Sequence, residues 1–323
     1  MGVYDTDPDE FYLRYLADER PPRQAQTQPM SIGSAFDAYA KSALHQCLFG
    51  KGVDPEYDLE ALLAKQVESQ HLDWARQHGK YVFEQYRQAG CFGGLLTEMR
   101  EAQGDPRFEF EIRGEVHGLK DGQIRGVTLL GRPDVHYVNK EGCTVILDFK
   151  VNGYCSNRPQ SPLAGYVNLR AAGRTNLGQH RDAQLMMHRG MIININRFLE
   201  GADKTWAKQL AVYGWLTGCP VGSDFLVGID QISCSPTVGG LPSIRIAEHR
   251  TRVGPQFQWD TFNHACDIWE VVHSDHLFRD KDREASAAHA AMLDRRCKDL
   301  RGDAAPHEVW FSQSTRVAAP WGG

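Results

Sequence analysis

Two acidic residues and a lysine stand at the ends of two neighbouring predicted strands. In the segment GRPDVHYVNKEGCTVILDFK, Asp134 follows Pro133, and Asp148 stands two positions before Lys150. Because side chains alternate along a strand, Asp148 and Lys150 share one face, and the hairpin can fold Asp134 back beside Asp148. Two close carboxylates repel each other unless a cation lies between them, and oxygen ligands suit Mg²⁺ or Mn²⁺. Lys150 adds a positive charge that can orient or activate water or stabilise an oxyanion. This set predicts phosphodiester hydrolysis, whereas D-x-K by itself also occurs as a surface Asp–Lys pair.

A helix predicted after these strands carries Gln209 and Tyr213, whose spacing of four places them on one helical face. Together, the PD, D-x-K and Q-x-x-x-Y motifs resemble the PD-(D/E)XK nuclease superfamily and its RecB-like branch, which includes phage-type and DNA-repair exonucleases. The resemblance implies a restriction-endonuclease-like core and a site that uses Mg²⁺ or Mn²⁺. It also implies a set of catalytic residues, with the carbonyl of Phe149 as a further metal ligand: Asp134, Asp148, Lys150, Gln209 and Tyr213.

Two further carboxylates are candidates for the same metal site. RecB-like nucleases usually carry G-x-x-x-H in their N-terminal helix, and this chain has Gly33-Ser-Ala-Phe-Asp37 in that place. We hypothesise that Asp37 replaces the metal-facing histidine; the alternative is a helix-surface charge paired with Lys41 at i+4. Glu115, in RGEVHG, could add another carboxylate, although a solvent-facing strand residue explains it as well. The eight cysteines include no C-x-x-C pair, so the iron–sulfur cluster of some relatives is not expected.

The resemblance favours a metal-dependent deoxyribonuclease that acts on double- or single-stranded DNA, as an exonuclease rather than an endonuclease. A helicase or a recombination protein could act beside it. One alternative is a non-catalytic nucleic-acid-binding protein on the same fold, and another is an α/β interaction protein with no affinity for DNA.

Positive charge is concentrated between the D-x-K strand and the Q-x-x-x-Y helix. Residues 151–208 hold 8 Lys and Arg against 3 Asp and Glu, in a chain whose net charge is -5. A local excess of this kind can bind a polyanion even when the whole protein is acidic. The candidate nucleic-acid-binding residues are Arg158, Arg170, Arg174, Arg181 and Arg189. The alternative is a solvated basic loop.

The predicted elements form an α/β fold with a central mixed sheet flanked by helices. Residues 1–30 are predicted to be an N-terminal arm, followed by a helix that begins at the N-cap Ser31 and further helices over 58–89. An antiparallel meander over 108–151 follows, then a basic insertion at 152–204 with one helix at 179–190. A helix at 204–217, strands over 224–234 and 244–253, and a helical region at 256–297 complete a single domain spanning 31–300. Residues 301–323 are predicted to be a C-terminal tail.

Composition limits the class of protein. The chain has 323 residues, 41% of them hydrophobic, which argues against global disorder. No apolar stretch approaches the roughly 20 residues that cross a bilayer, and the acidic start lacks the features of a secretory signal. The sequence therefore predicts a cytoplasmic protein with no membrane partner and with reduced cysteines. It does not predict an oligomeric state.

Overall fold

A computed structural model describes residues 1–17, 21, 25–157, 184–274, 277–278 and 281–301. Within these residues the fold is mixed α/β, with a mixed central sheet flanked by helices, as predicted. The helices are α1 (Gly2–Thr6), α2 (Pro8–Tyr15), α3 (Gln28–Phe49), α4 (Leu59–Gln66), α5 (Leu72–Gln88), α6 (Cys91–Arg100), α7 (Lys204–Leu216), α8 (Pro255–His273) and α9 (Arg283–Arg301). The strands are β1 (Arg107–Phe108), β2 (Ile112–Lys120), β3 (Gln123–Gly131), β4 (Val135–Val138), β5 (Thr144–Asn152), β6 (Leu185–His188), β7 (Met191–Asn194), β8 (Leu226–Ser235) and β9 (Ser243–Thr251).

The central sheet has the strand order β1-β4-β5-β8-β9. The tight turn at 139–142 makes β4 and β5 antiparallel, and the long connection that contains α7 makes β5 and β8 parallel. Because β5 is covered on both sides, it reads as a nearly continuous apolar run, interrupted by Asp148. The register pairs Val135 with Leu147, so one further step places Asp134 opposite Asp148.

Two hairpins lie outside this sheet. Strands β2 and β3 form a separate two-stranded sheet, so the predicted meander is divided between two sheets. Strands β6 and β7 form another hairpin, and the prediction of a helix at 179–190 is wrong for residues 185–190. The reason is the two-residue turn Arg189-Gly190, in which both residues have positive φ (46° and 79°), as a type I′ hairpin turn requires. Residues 158–183 of the predicted insertion lie outside the described residues.

The contacts divide the chain into two compact units, where the sequence predicted an arm followed by one domain. The larger unit comprises residues 26–116 and 128–259 and contains the central sheet. The side chains of Ile32, Phe36 and Ala40 form a fully buried apolar stripe on α3, and the Phe36 ring packs edge-on against Phe149, with 5.5 Å between centroids. Helix α3 begins three residues before the predicted cap, because Pro29 suits the first helical turn.

A buried ion pair lies within the sheet of the larger unit. Arg250, on β9, donates from Nη1 to Asp230 Oδ1 on β8 at 2.6 Å, and Tyr86 donates to the other oxygen of Asp230 at 2.5 Å. The Arg250 side chain is 2% exposed. Burial and the adjacent Asp230 carboxylate raise the pKa of Tyr86 well above its ordinary value, so the phenol stays a donor. The charge of Arg250 is thus neutralised inside the core.

The smaller unit joins the two ends of the described chain: residues 1–25, 117–127 and those from 260 onward. Residues 2–15, which lie in the predicted arm, form α1 and α2, and α2 is capped by the Asp7 side chain. Tyr12 and Leu13 pack with Leu293 of α9, and the Tyr12 hydroxyl donates to Asp294 at 2.9 Å. Residues 302–323, which include nearly all of the predicted tail, lie outside the described residues. Among the described helices, none combines the length and apolarity needed to cross a membrane.

Candidate active site

Asp134 and Asp148 meet where β4 begins beside β5. Asp134 Oδ2 accepts the backbone N–H of Phe149 at 2.9 Å, and the strand register places the Asp148 carboxyl group beside that of Asp134. Burial, followed by the proximity of Asp134, raises the pKa of Asp148 well above its usual range. Burial acts in the same direction on Asp134, but Lys41 and the Phe149 N–H outweigh it and lower the pKa of Asp134. Two carboxyls with such opposed pKa values share a proton when no cation lies between them.

Lys150 is held between Asp148 and helix α7. Its Nζ contacts Asp148 Oδ2 and donates to Gln209 Oε1 at 3.4 Å, while Gln209 Nε2 donates to the Tyr213 hydroxyl at 2.8 Å. Helix α7 begins at the Asp203 cap, whose side chain accepts two backbone N–H groups, and this fixes where the helix faces β5. The structure therefore brings together all five residues that the resemblance implied, although their catalytic roles stay a prediction.

Gly131, at the end of β3, leaves room for the Tyr213 ring. A Cβ at position 131 would lie 2.7 Å from Tyr213 Cδ1 and 2.8 Å from Leu216 Cδ1, closer than such atoms approach. We expect Gly131→Ala to displace Tyr213 and to loosen the contact from Gln209 to Lys150. The DNA cleavage predicted from the sequence should then be roughly 10- to 100-fold slower. Measured kcat on a DNA substrate tests this expectation.

Gly118→Ala is the matched control for this substitution. A Cβ at position 118 would lie 2.6 Å from the Phe262 ring, in the smaller unit. Both variants should lose thermal stability, and only Gly131→Ala should lose cleavage. Equal cleavage by the two variants would show that Tyr213 does not position Gln209 for the reaction.

Asp37 forms the predicted i+4 pair with Lys41, with 2.5 Å between Oδ2 and Nζ. It is not a charge on an exposed helix surface, however, because its Oδ1 is buried without a hydrogen-bond partner among the described residues. Burial raises the pKa of Asp37 to about 7, the nearby Asp134 acts in the same direction, and Lys41 opposes both. Asp37 thus lies near Asp134, and its role as a metal ligand stays a prediction.

Sequence reasoning missed two features of this site. It gave Lys41 only as a partner of Asp37, and it did not identify Glu109. The Glu109 carboxylate lies 3.2 Å from Lys41 Nζ and accepts from Gln66 Nε2 at 2.5 Å. Its backbone adopts φ of 41°, which non-glycine residues rarely do. Lys41 directly follows Ala40 of the buried stripe, and this position was a sequence signal that the lysine is buried. No sequence signal linked Glu109 to Lys41.

The other predicted site residues are not gathered here. Glu115 lies on β2, outside the central sheet, and is exposed, as the solvent-facing interpretation expected. Asn139 donates to the Arg189 carbonyl, so Arg189 lies beside the 139–142 turn. Along β5, this turn is about 13 Å from Asp148. Its guanidinium lies 3.3 Å from Asp224. The candidate residues Arg158, Arg170, Arg174 and Arg181 lie outside the described residues.

The donor atoms at Asp134 and Asp148 suit a hard cation. Two side-chain carboxylates and a backbone carbonyl are oxygen ligands, and Mg²⁺ is commonly bound by one or two carboxylates while it keeps several waters. The buried Oδ1 of Asp37 is an additional oxygen that accepts no hydrogen bond from the described residues. Over the part of the chain that the structure describes, no three or more Asp, Glu, His or Cys side chains are arranged to enclose a metal ion. Asp134 and Asp148 therefore offer oxygen atoms to a cation, and metal binding at this pair stays a prediction.

Comparison with known proteins gives no family for this chain. No protein-family model matches it, and no curated protein matches it. The crystal structure of SSO0001 aligns over 95% of this chain and 96% of its own, with 10% sequence identity and a TM-score of 0.27. A TM-score this low carries no argument about fold or function, so the interpretation of the site depends on its own residues.

Proposed function

We propose that this protein is a RecB-like, Mg²⁺- or Mn²⁺-dependent deoxyribonuclease with a restriction-endonuclease-like core. One observation carries the proposal: residues from three separate segments, Asp134, the Asp148–Lys150 pair and the Gln209–Tyr213 pair, lie in contact at one position of the sheet. An acidic pair beside a phosphate is unfavourable for a protein that merely binds DNA, because the carboxylates repel the backbone. A cation makes the same pair useful for hydrolysis.

Asp134, Asp148 and the carbonyl of Phe149 would hold the metal ion. When bound, the ion supplies a Lewis acid for the scissile phosphate and lowers the pKa of its water. The protein contributes the orientation of these ligands: the Phe149 N–H fixes one oxygen of Asp134, and the strand register places Asp148 opposite. Both ligands are therefore set by backbone geometry, which favours a preorganised site.

Lys150 supplies positive charge rather than a base. Burial alone would lower its pKa, but Asp148 and Asp134 outweigh burial and raise it, so the side chain remains an ammonium near neutral pH. An ammonium donates hydrogen bonds and stabilises the negative charge that develops on the phosphate oxygens. Gln209 holds this ammonium from the side of α7, and Tyr213 in turn holds Gln209.

The substrate hypothesis is DNA, double- or single-stranded, degraded from its ends. The basic segment between β5 and α7 is proposed to follow the DNA backbone, and a helicase or recombination protein could deliver the ends in the cytoplasm. The second candidate function is a non-catalytic DNA-binding protein on this fold. Asp37 favours it, because the histidine typical of RecB-like nucleases is replaced there by an acid that is already paired with Lys41.

Labelled DNA incubated with the purified protein tests the proposal. Linear duplex, covalently closed circular duplex and single-stranded DNA are each compared in Mg²⁺, Mn²⁺ and EDTA. Loss of the linear forms alone, only with metal, is expected of an exonuclease, and cleavage of the circle indicates an endonuclease. Binding without cleavage in either metal would favour the non-catalytic alternative.

Lys150→Met is expected to reduce the rate of cleavage about a hundredfold, which is the usual effect of removing one donor to a developing negative charge. Metal binding should remain, because Asp134 and Asp148 are retained. Single-turnover cleavage and Mn²⁺ titration separate the two effects. Lys140→Met, which removes an exposed lysine paired with Glu101, is the control and should match the wild type. If Lys150→Met abolished metal binding, the role given to Lys150 would be wrong.

A further inference from the structure

Lys41 is a buried lysine in contact with carboxylates from three segments. Its side chain is 1% exposed, and Nζ lies 2.5 Å from Asp37 Oδ2, 3.2 Å from Glu109 Oε2 and 3.5 Å from Asp134 Oδ1. A buried ammonium persists only where such partners compensate its lost hydration. Lys41 therefore places a fixed positive charge on one side of Asp134.

The position of this charge is set by the backbone. The Glu109 N–H donates to the Asp134 carbonyl at 3.1 Å, and Gln66 Nε2 holds the Glu109 carboxylate. Lys41 itself projects from the rigid helix α3. Arg132 approaches Glu109 to 3.6 Å with a guanidinium that is more than half exposed, so water screens its charge. Lys41 is thus the cation that is buried among Asp37, Glu109 and Asp134.

We propose that Lys41 is the built-in second cation of the site, and that the site therefore takes a single divalent metal ion, held by Asp134 and Asp148. This inference rests on the proposed nuclease function. A metal ion that bridged Asp37 and Asp134 would need the position that the ammonium occupies. When all four acids are ionised around a bound metal ion, Asp37, Glu109, Asp134 and Asp148 supply four negative charges, and Lys41 and Lys150 supply two positive charges. The two negative charges that remain match the charge of one divalent ion.

The number of Mn²⁺ ions bound per chain tests the inference without depending on activity. Free Mn²⁺ is measured by electron paramagnetic resonance during titration of the full chain, and melting temperatures are recorded with and without Mn²⁺. We expect one ion per chain for the wild type. We expect two ions for Lys41→Met, because Asp37, Glu109 and Asp134 are then left without their cation. The melting temperature of Lys41→Met should also rise more with Mn²⁺ than that of the wild type.

Lys120→Met is the matched control, because Lys120 also contacts two carboxylates, at 2.5 Å from Asp267 and 3.4 Å from Glu270, but lies in the smaller unit. It should bind one ion.

Two ions on a wild-type protein that cleaves DNA would overturn the inference and leave the nuclease proposal standing. One ion on a folded Lys41→Met protein would also overturn it. If Lys41→Met does not fold, the number of Mn²⁺ ions bound by the wild type still tests whether the site takes a single ion. A wild type that neither binds Mn²⁺ nor cleaves DNA would overturn the nuclease proposal itself.

Discussion

Asp148→Asn is expected to reduce metal-dependent DNA cleavage by at least about a thousandfold while the protein stays folded. Loss of one of two carboxylate ligands removes several kcal/mol of transition-state stabilisation, and about 4 kcal/mol corresponds to three powers of ten in rate. Asparagine has the shape of the protonated acid, which is the form that the fold favours because burial raises the pKa of Asp148. Lys150 keeps its contact with Gln209. Initial rates of DNA cleavage and circular dichroism give the two measurements.

Asp224→Asn is the matched control for Asp148→Asn. Asp224 also contacts basic side chains, His188 and Arg189, but it lies just before β8 begins, and its side chain is partly exposed. Cleavage by Asp224→Asn should stay within a few-fold of the wild type. Robust metal-dependent cleavage by a folded Asp148→Asn protein would show that the acidic pair is not the catalytic site.

Arg250→Met is expected to destabilise the larger unit by about 3–5 kcal/mol, because it leaves the buried carboxylate of Asp230 without a cation. Tyr86 still donates to Asp230, but a hydroxyl supplies no charge, and the nearby Glu248 carboxylate lies 3.6 Å from the guanidinium that is removed. Urea denaturation followed by tryptophan fluorescence measures the loss in the free energy of unfolding.

Arg189→Met is the control for Arg250→Met. The Arg189 side chain is 51% exposed and pairs with Asp224 in contact with water, where such a pair is worth at most about 1 kcal/mol. A loss smaller than 1 kcal/mol for Arg250→Met would indicate that water reaches Asp230 in solution. A similar loss for both variants would contradict the distinction between buried and exposed pairs made here.

Local pattern predicted the elements that carry the candidate catalytic residues. The sequence predicts β5 because an apolar run that follows a turn, here at 139–142, is typical of a buried strand. It predicts α7 because the apolar positions recur with helical spacing. The sequence predicts β8 because it too contains an apolar run that is typical of a buried strand. The hairpin of β6 and β7 was missed, because Leu185 to His188 suit a helix as well as a strand. The positive φ of Arg189 and Gly190 decided in favour of the hairpin.

The surroundings of Lys41 could not be predicted from local pattern. Its contacts with Glu109 and Asp134 join residues 68 and 93 positions apart along the chain, and periodicity carries no information at that range. The buried pair of Asp230 and Arg250 escaped for a related reason, since β9 was recognised as a strand without the register that places Arg250 beside Asp230. Sequence patterns gave the acidic pair, and tertiary structure added the lysine that balances it.

The packing of α2 against α9 has a consequence during protein synthesis. Tyr12 and Leu13 bury their side chains against Leu293, which the ribosome adds 280 residues after Leu13. At a translation rate of roughly 5–20 residues per second, Leu293 is added on the order of 15–60 s after these side chains. The segment that contains the central sheet is completed first, since it ends at residue 259. The apolar side chains of α2 therefore stay without this part of their packing until α9 has been synthesised, and the smaller unit is completed after the larger one.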